Sequence, residues 1–263
     1  MKNIFVSLLI LVIAANLVSC KKDSYKVDGG THNPKVNMTT YDYLKSKPQF
    51  SSLVHLIDRA GLKETVNGNI TFFATTNYSV DDFVKARYTR RTIELQDENI
   101  KYTLDSLPLQ EVKDSLKMYM YTGDLGREKL SVEGKYYPNL LGTIPNVSFY
   151  IKIRRTQDYR DYIDHVDYIN FTKVIGTRDE TVLDPSTIPA TEKDMGYDCQ
   201  TTGIITTTGT IHVLSNNHRL FFNTEKYQAN TIRYFQPILI PKHFHHEKNN
   251  YLTPGRCNNY RRM

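Results

Sequence analysis

The order of two hydrophobic periodicities constrains the fold of this chain more than any other feature. Apolar residues recur at the spacing of one helix face in residues 49–60, and Gly61 then supplies the left-handed backbone that ends many helices. Further along, residues 147–154 alternate apolar and polar side chains with the period of two of a half-buried strand. Helical patterns come first and strand patterns follow, which favours an α+β fold over an alternating parallel sheet.

Other segments extend this order. Leu109, Val112 and Leu116 return to helical spacing after Pro108. The remaining predicted elements are a strand at 70–74, a short helix at 80–86, a helix within 105–123, and strands at 171–175 and 204–214, the last broken into a hairpin at Thr208-Gly209.

The first twenty residues predict export rather than a folded element. Lys2 precedes an apolar run from Ile4 to Val18, and about 15 residues are too few to span a bilayer comfortably. The run Leu17-Val18-Ser19-Cys20 resembles the lipobox of bacterial lipoproteins. That resemblance implies a cleaved signal peptide at 1–19, acylation of Cys20 with chains such as palmitate, and attachment to the outer membrane of the cell envelope.

Residues 20–37 are expected to form a flexible tether between lipid and domain, because they are polar and include Gly29-Gly30. Within them, Lys21-Lys22-Asp23-Ser24 resembles the signals with which some Bacteroidetes lipoproteins reach the cell surface. A solvated linker accounts for the same charges equally well. We therefore expect a lipoprotein of the Bacteroidetes type and leave surface exposure open.

The positive charge is confined to the end of the chain. The formal charge is +6, and residues 216–263 hold eight Lys or Arg against two acidic residues, so residues 1–215 balance. This distribution does not predict nucleic-acid binding. The Asn- and His-rich tail has three interpretations, namely a basic interaction arm, a poorly packed terminus and a slip of the reading frame near Asn216, and the second is favoured.

The three cysteines divide into one lipidation site and one candidate pair. Once Cys20 is assigned to lipid, Cys199 and Cys257 are left for a disulfide in an oxidising compartment. Nothing in the sequence brings the two together, so a disulfide and two free thiols both stay open.

Two segments resemble the fasciclin domain, an extracellular adhesion module. Residues 70–83 are similar to the family's strand, polar turn and helix, and residues 205–214 are similar to its closing hairpin, in which a Gly-containing turn leads into an Ile-His-Val strand. The resemblance covers residues 38–215. It implies a fasciclin-like α+β domain with helices packed on a β-wedge.

The residues that carry this resemblance have architectural roles. The Thr76-Asn77 turn is expected to cap the helix that follows it, and Gly209 to supply a positive φ in the hairpin. A lone His212 on a closing strand is more often a hydrogen-bonded core group than a ligand.

Two positions depart from the family pattern. Thr75 stands where the family usually has Pro. Tyr119 is followed by Met120 and not by the His of the Tyr-His pair that is linked to adhesion in some animal members. Adhesion through that pair is therefore not expected.

The sequence offers weak metal sites and no catalytic motif. His243, His245 and His246 form a cluster that no Cys or carboxylate completes, and a regular series of acidic residues could present carboxylates to calcium, although a solvated amphipathic turn or helix is favoured. That series is Asp158, Asp161, Asp164 and Asp167. No nucleophile elbow, zinc-protease helix or phosphate-binding loop is present, so we expect no enzyme, no cofactor and no bound metal.

Tyrosine is in surplus, with 19 residues and no Trp. Exposed tyrosines can stack on sugar rings or anchor a protein partner, although half-buried strands also favour them. Ser106 in Asp105-Ser106-Leu107 resembles an O-glycosylation site of exported Bacteroidetes proteins. We expect a lipid-anchored adhesion protein that binds an extracellular protein or glycan. The alternative is an accessory glycan-binding lipoprotein of a polysaccharide-uptake system.

Overall fold

The computed structural model describes residues 34–222. Its helices are α1 (Thr40–Lys45), α2 (Ser51–Ala60), α3 (Lys63–Val66), α4 (Asn77–Leu95) and α5 (Leu109–Lys117). Its strands are β1 (Ile70–Ala74), β2 (Met120–Thr122), β3 (Lys135–Tyr136), β4 (Val147–Thr156), β5 (Val166–Ile175), β6 (Met195–Ile205) and β7 (Gly209–Leu214). Within these described residues, no helix combines the length and apolar character needed to cross a membrane.

The seven strands form one sheet in the order β2-β1-β7-β6-β5-β4-β3. Strands β1 and β7 are parallel, and the other neighbours are antiparallel. The α+β prediction is confirmed, because all five helices precede β2, and the last five strands, β3 to β7, follow one another as an antiparallel meander.

Because successive strands of the meander run in opposite directions, every second connection lies at the same end of the sheet. Residues 157–165 join β4 to β5 and residues 206–208 join β6 to β7, so both turns lie at one end, which we call the turn end. The connection 176–194 between β5 and β6 lies at the opposite end. The described chain also begins at the turn end, where the Val36 N–H donates to the Ile205 carbonyl at 2.8 Å.

Helix α2 covers the core that the sheet and the other helices share. It packs against α4 and α5 and buries Leu53, Leu56 and Ile57 completely or nearly so, and each such side chain contributes roughly 1.5–3 kcal/mol. Gly61 ends the helix with φ of 65°, as its position predicts. At the centre of the sheet, the Phe73 and Phe171 rings stack with centroids 4.6 Å apart.

Helix α4 is much longer than the predicted segment 80–86. Only Ser79, Val80 and Phe83 are buried, so its apolar pattern stops where the prediction ended. The helix continues through its solvated half, where Glu94 accepts from Arg90 at 2.8 Å and from Arg91 at 3.1 Å. Ion pairs at helical spacing thus extend it without a core face.

Both limits of the predicted domain, 38 and 215, fall inside the packed structure. Upstream, Lys35 bridges to Ile205 beside β6, and this contact lies inside the segment predicted as a flexible tether. Downstream, Thr76 Oγ1 donates to Asn216 Oδ1 at 2.8 Å, and the buried residues of the following segment are His218, Leu220 and Phe222. The change of composition at 216 is therefore not the boundary of the domain.

Candidate functional site

The turn between β4 and β5, residues 157–165, exposes an unusual share of apolar surface. Tyr159 is 53%, Tyr162 92% and Ile163 55% exposed. The N–H groups of Tyr162 and Ile163 both donate to the Tyr159 carbonyl, at 2.9 and 3.1 Å. Residues three and four apart on one helical turn project to the same side, so we expect the three side chains to form one small apolar surface.

Two arginine pairs hold the hairpin beneath this turn. The Arg154 guanidinium donates to both oxygens of Asp198 on β6, with Nη2 at 2.6 Å. Arg155 binds both oxygens of Asp167 across the hairpin, at 2.8 and 3.0 Å, and these bonds hold the pKa of Asp167 below its usual value. Such bidentate pairs fix orientation as well as distance, so they hold the strands that flank the turn in a defined arrangement.

The charges of the turn do not form a metal site. Asp158, Asp161 and Asp164 are exposed around Arg160, while Asp167 is engaged by Arg155. Among residues 34–222, no group of three or more His, Cys, Asp or Glu side chains is arranged to hold a metal ion. The four aspartates that suggested calcium belong to a hairpin turn and its first strand residues, and the turn remains acidic.

Thr76 and Asn77 do not cap the helix that follows them, contrary to the prediction. Thr76 occupies the N-cap position of α4 without a capping bond from its side chain. Asn77 Oδ1 accepts instead from the Ser52 N–H at 3.0 Å, and Asn77 Nδ2 donates to the Pro48 carbonyl at 3.0 Å. Asn77 therefore secures the start of α2, a partner 25 residues earlier in the chain.

Glycine is needed at position 209 for a different reason from the predicted positive φ. Its φ lies outside the left-handed region, whereas Gly203 on β6 has φ of 72°. A Cβ on Gly209 would lie 2.3 Å from the Ile70 carbonyl oxygen. Glycine is required because β1 and β7 approach too closely here for any side chain.

His212 is a core group held by two hydrogen bonds. Its Nδ1 accepts from the Gly203 N–H, and its Nε2 donates to the Leu125 carbonyl, both at 3.0 Å. The residue is fully buried, and this burial lowers its pKa to about 4. A neutral, saturated imidazole in the core has no free position for a ligand.

Tyr119 forms a hydrogen bond with a histidine that no sequence pattern singles out. The Tyr119 hydroxyl bonds to His218 Nε2 at 2.8 Å and accepts from the Phe221 N–H at 2.7 Å. His218 is fully buried, and burial lowers its pKa to about 3. Since the two residues are 99 positions apart and His218 lies in the segment with tail composition, no local pattern points to the pair.

The remaining predicted sites divide by location. Cys199 is buried with a raised thiol pKa caused by desolvation, and Ser106 is exposed. Four others lie outside the described residues, so the structure does not test them: Cys20, Cys257, the 1–19 signal peptide and the histidine cluster of the tail.

Fold and site together define a non-repetitive α+β domain with an exposed, acidic and aromatic hairpin turn. No protein-family model matches the chain, and no curated protein matches its sequence. Among solved structures it is similar to a FAS1 domain pair from the insect cell adhesion molecule fasciclin I, with 11% identity and a TM-score of 0.41. The match covers 72% of this chain and 52% of the other, so the chain spans about half the length of that structure. A likeness at this level does not assign the chain to a family.

Proposed function

We propose that this protein is a lipid-anchored binding protein of the cell envelope, with a fasciclin-like domain that adheres to an extracellular protein and performs no chemistry. One internal observation supports the domain assignment. The two segments that resemble the fasciclin family lie side by side as the parallel strands β1 and β7, with Phe73 opposite His212. The lipobox resemblance at Cys20 supports the anchor.

The observation that carries the binding role is the exposed surface of Tyr159, Tyr162 and Ile163. A tyrosine offers a large contact area with few rotatable bonds, so it loses little entropy on binding. Tyrosine side chains are enriched in the hot spots of binding interfaces. The ion pairs of Arg154 and Arg155 hold the strands of the hairpin that carries these tyrosines.

The test replaces these tyrosines in the mature chain, with Cys20→Ser to keep the protein in solution. Surfaces coated with the protein should retain cells of the producing bacterium or matrix proteins. Tyr159→Ser combined with Tyr162→Ser should weaken retention at least about tenfold, as the loss of hot-spot anchors does. Tyr78→Ser is the matched control, since Tyr78 is 69% exposed on α4. Retention no better than that of an inert protein contradicts the adhesive role.

The lipid anchor has a separate test. Cys20→Ala removes the acylated side chain, so the protein should move from the membrane fraction to the soluble fraction of the cell. Membrane association that survives this substitution argues against the lipoprotein assignment.

A glycan ligand is the second candidate, and one feature of the same turn favours it. Asp158 precedes Tyr159 and Asp161 precedes Tyr162, so each ring that can stack on a sugar has a carboxylate beside it that can accept from sugar hydroxyls. This candidate is supported if the protein binds purified polysaccharides and the double tyrosine substitution abolishes that binding. If no host or plant polysaccharide binds, a protein remains the proposed ligand.

A further inference from the structure

The turn of residues 157–165 projects from the turn end of the sheet. Every residue from 157 to 164 is exposed, and Tyr162 among them is 92% exposed. Sites that enclose small molecules are concave, whereas this turn is an exposed projection. It therefore fits a partner that supplies the concave surface itself, as a folded protein can.

The charge around the apolar surface of this turn is negative. Residues 157–165 contain three aspartates against one arginine, Arg160, which leaves a net charge of −2 with the histidine neutral. The three aspartates are all exposed, namely Asp158, Asp161 and Asp164. A polar rim around an aromatic centre is the usual arrangement of a protein–protein interface.

These three carboxylates form no ion pair within residues 34–222. Asp158 acts on Arg154 only as a charge at longer range, because that guanidinium is held by Asp198. By contrast, Asp167 at the base of the turn is paired with Arg155. The described part of the domain thus leaves the carboxylates of the turn available to the cations of a partner.

Each exposed tyrosine of the turn has a carboxylate directly before it in the chain. Asp158 precedes Tyr159, and Asp161 precedes Tyr162. A Lys or Arg side chain that lies over the face of a tyrosine ring is attracted by the ring and can pair with the neighbouring carboxylate. A neutral sugar gains neither of these attractions between opposite charges, so the combination favours a cationic partner.

We infer that the partner of this turn is a protein with a basic contact surface, whose Lys or Arg side chains lie against Tyr159 and Tyr162 and pair with the aspartates. The inference rests on the proposed binding role of the turn and narrows its partner to a cationic protein. Opposite charges on the two surfaces speed association and make it dependent on salt.

Neutral substitutions of the aspartates test the charge separately from the rings. Surfaces are coated with the mature chain carrying Cys20→Ser, and the retention of cells of the producing bacterium or of matrix proteins is measured. Retention should fall at least about tenfold when three substitutions are combined, because they remove the attraction for the basic surface. The substitutions are Asp158→Asn, Asp161→Asn and Asp164→Asn.

A matched control removes the same number of exposed carboxylates from another part of the domain. It combines Asp81→Asn and Asp82→Asn on α4 with Glu98→Gln just beyond that helix. The net charge changes equally in both variants, so the control should alter retention less than about twofold if the position of the charges matters. Equal losses in the two variants overturn the inference.

Salt and a soluble polycation provide a second measurement on the same surfaces. Raising NaCl from about 50 mM to about 500 mM should reduce retention by the native sequence at least about tenfold, because salt screens the attraction. The triple aspartate variant should lose less than about twofold over the same range. Soluble poly-lysine should displace retained cells or matrix proteins, whereas poly-glutamate should not.

The outcomes separate this inference from the proposed function. Retention that the double tyrosine substitution abolishes, but that neither salt nor the aspartate substitutions reduce, overturns the inference and leaves the adhesive role intact. Retention that survives the tyrosine substitutions contradicts both. Binding to a neutral polysaccharide that the triple aspartate variant keeps also overturns the inference, because the ligand is then a glycan.

Discussion

At the residue scale, Gly209 and Asn77 act through partners that are distant in sequence. Gly209 allows β7 to approach Ile70, and Asn77 binds the start of α2. Local turn chemistry singles out both residues, because Gly and Asn are typical of turns. It cannot identify their partners, since those contacts form only when the chain folds.

The close approach at Gly209 predicts a large loss of stability on adding one methyl group. Gly209→Ala places a Cβ against the Ile70 carbonyl oxygen and must separate β1 from β7, which we expect to cost about 3 kcal/mol. Gly203→Ala is the control, because a Cβ there meets nothing within 4 Å and is strained only by its φ of 72°, at about 1 kcal/mol. Urea unfolding measures both. A smaller loss for Gly209→Ala than for Gly203→Ala contradicts this account of the strand contact.

The buried His218 predicts a loss of stability in acid. Its pKa of about 3 in the folded protein lies below the usual value near 6.5, so the unfolded chain binds more protons between these two pH values. Stability is therefore full above about pH 6.5 and falls as the pH drops, by about 2 kcal/mol at pH 5 from this residue alone.

His218→Gln separates this effect from other titrations. Glutamine keeps an oxygen that can accept from the Tyr119 hydroxyl but does not titrate. Between pH 7.5 and pH 5, the variant should lose about 2 kcal/mol less than the native protein, while His212 contributes equally to both. Identical losses in urea unfolding at the two pH values rule out a neutral, buried His218.

At the element scale, the two halves of α4 differ in what holds them. The first half is buried through Val80 and Phe83, whereas the second half depends on ion pairs such as that of Arg90 with Glu94. Exposed pairs of this kind contribute only about 0.3–0.5 kcal/mol each. The second half of α4 is therefore expected to be less stable than the first half.

Hydrogen exchange of α4 checks this difference. Backbone amides of residues 88–93 should exchange at least about tenfold faster than those of residues 81–86, because their local opening exposes little apolar surface. Raising the salt concentration should widen the gap, since the ion pairs are screened. Equal protection along the whole helix shows that something other than these pairs covers its second half.

The elements that the sequence predicts best are those with a clear period. Helix α2 and strand β4 present one apolar face over many residues, and β1 is a compact buried run. Strands β2 and β3 have three and two residues, too few to establish any period. The same limit applies to the candidate site, since the series of aspartates and tyrosines in residues 157–165 predicts an amphipathic turn but not that its tyrosines are left uncovered.

At the scale of the whole molecule, the first described residues and the proposed site belong to one end of the domain. The first described residues lie beside Ile205 at the turn end, and the 157–165 turn is at the same end of the sheet. The proposed lipidation site Cys20 lies 14 positions before Pro34, which corresponds to at most about 50 Å of extended chain, so the proposed lipid would keep this turn close to the surface that carries it. Partners that are themselves part of that surface fit this geometry best.

Tyrosine nitration followed by mass spectrometry tests the binding surface most directly. The protein is treated with tetranitromethane in solution and again while it adheres to bacterial cells or matrix. Adhesion should protect Tyr159 and Tyr162 from nitration at least about fivefold, because both rings would lie in the interface, and should leave the reactivity of the exposed Tyr78 unchanged. Full reactivity of Tyr159 and Tyr162 in the adhering protein, or protection of Tyr78 in their place, would show that this hairpin turn does not make the contact.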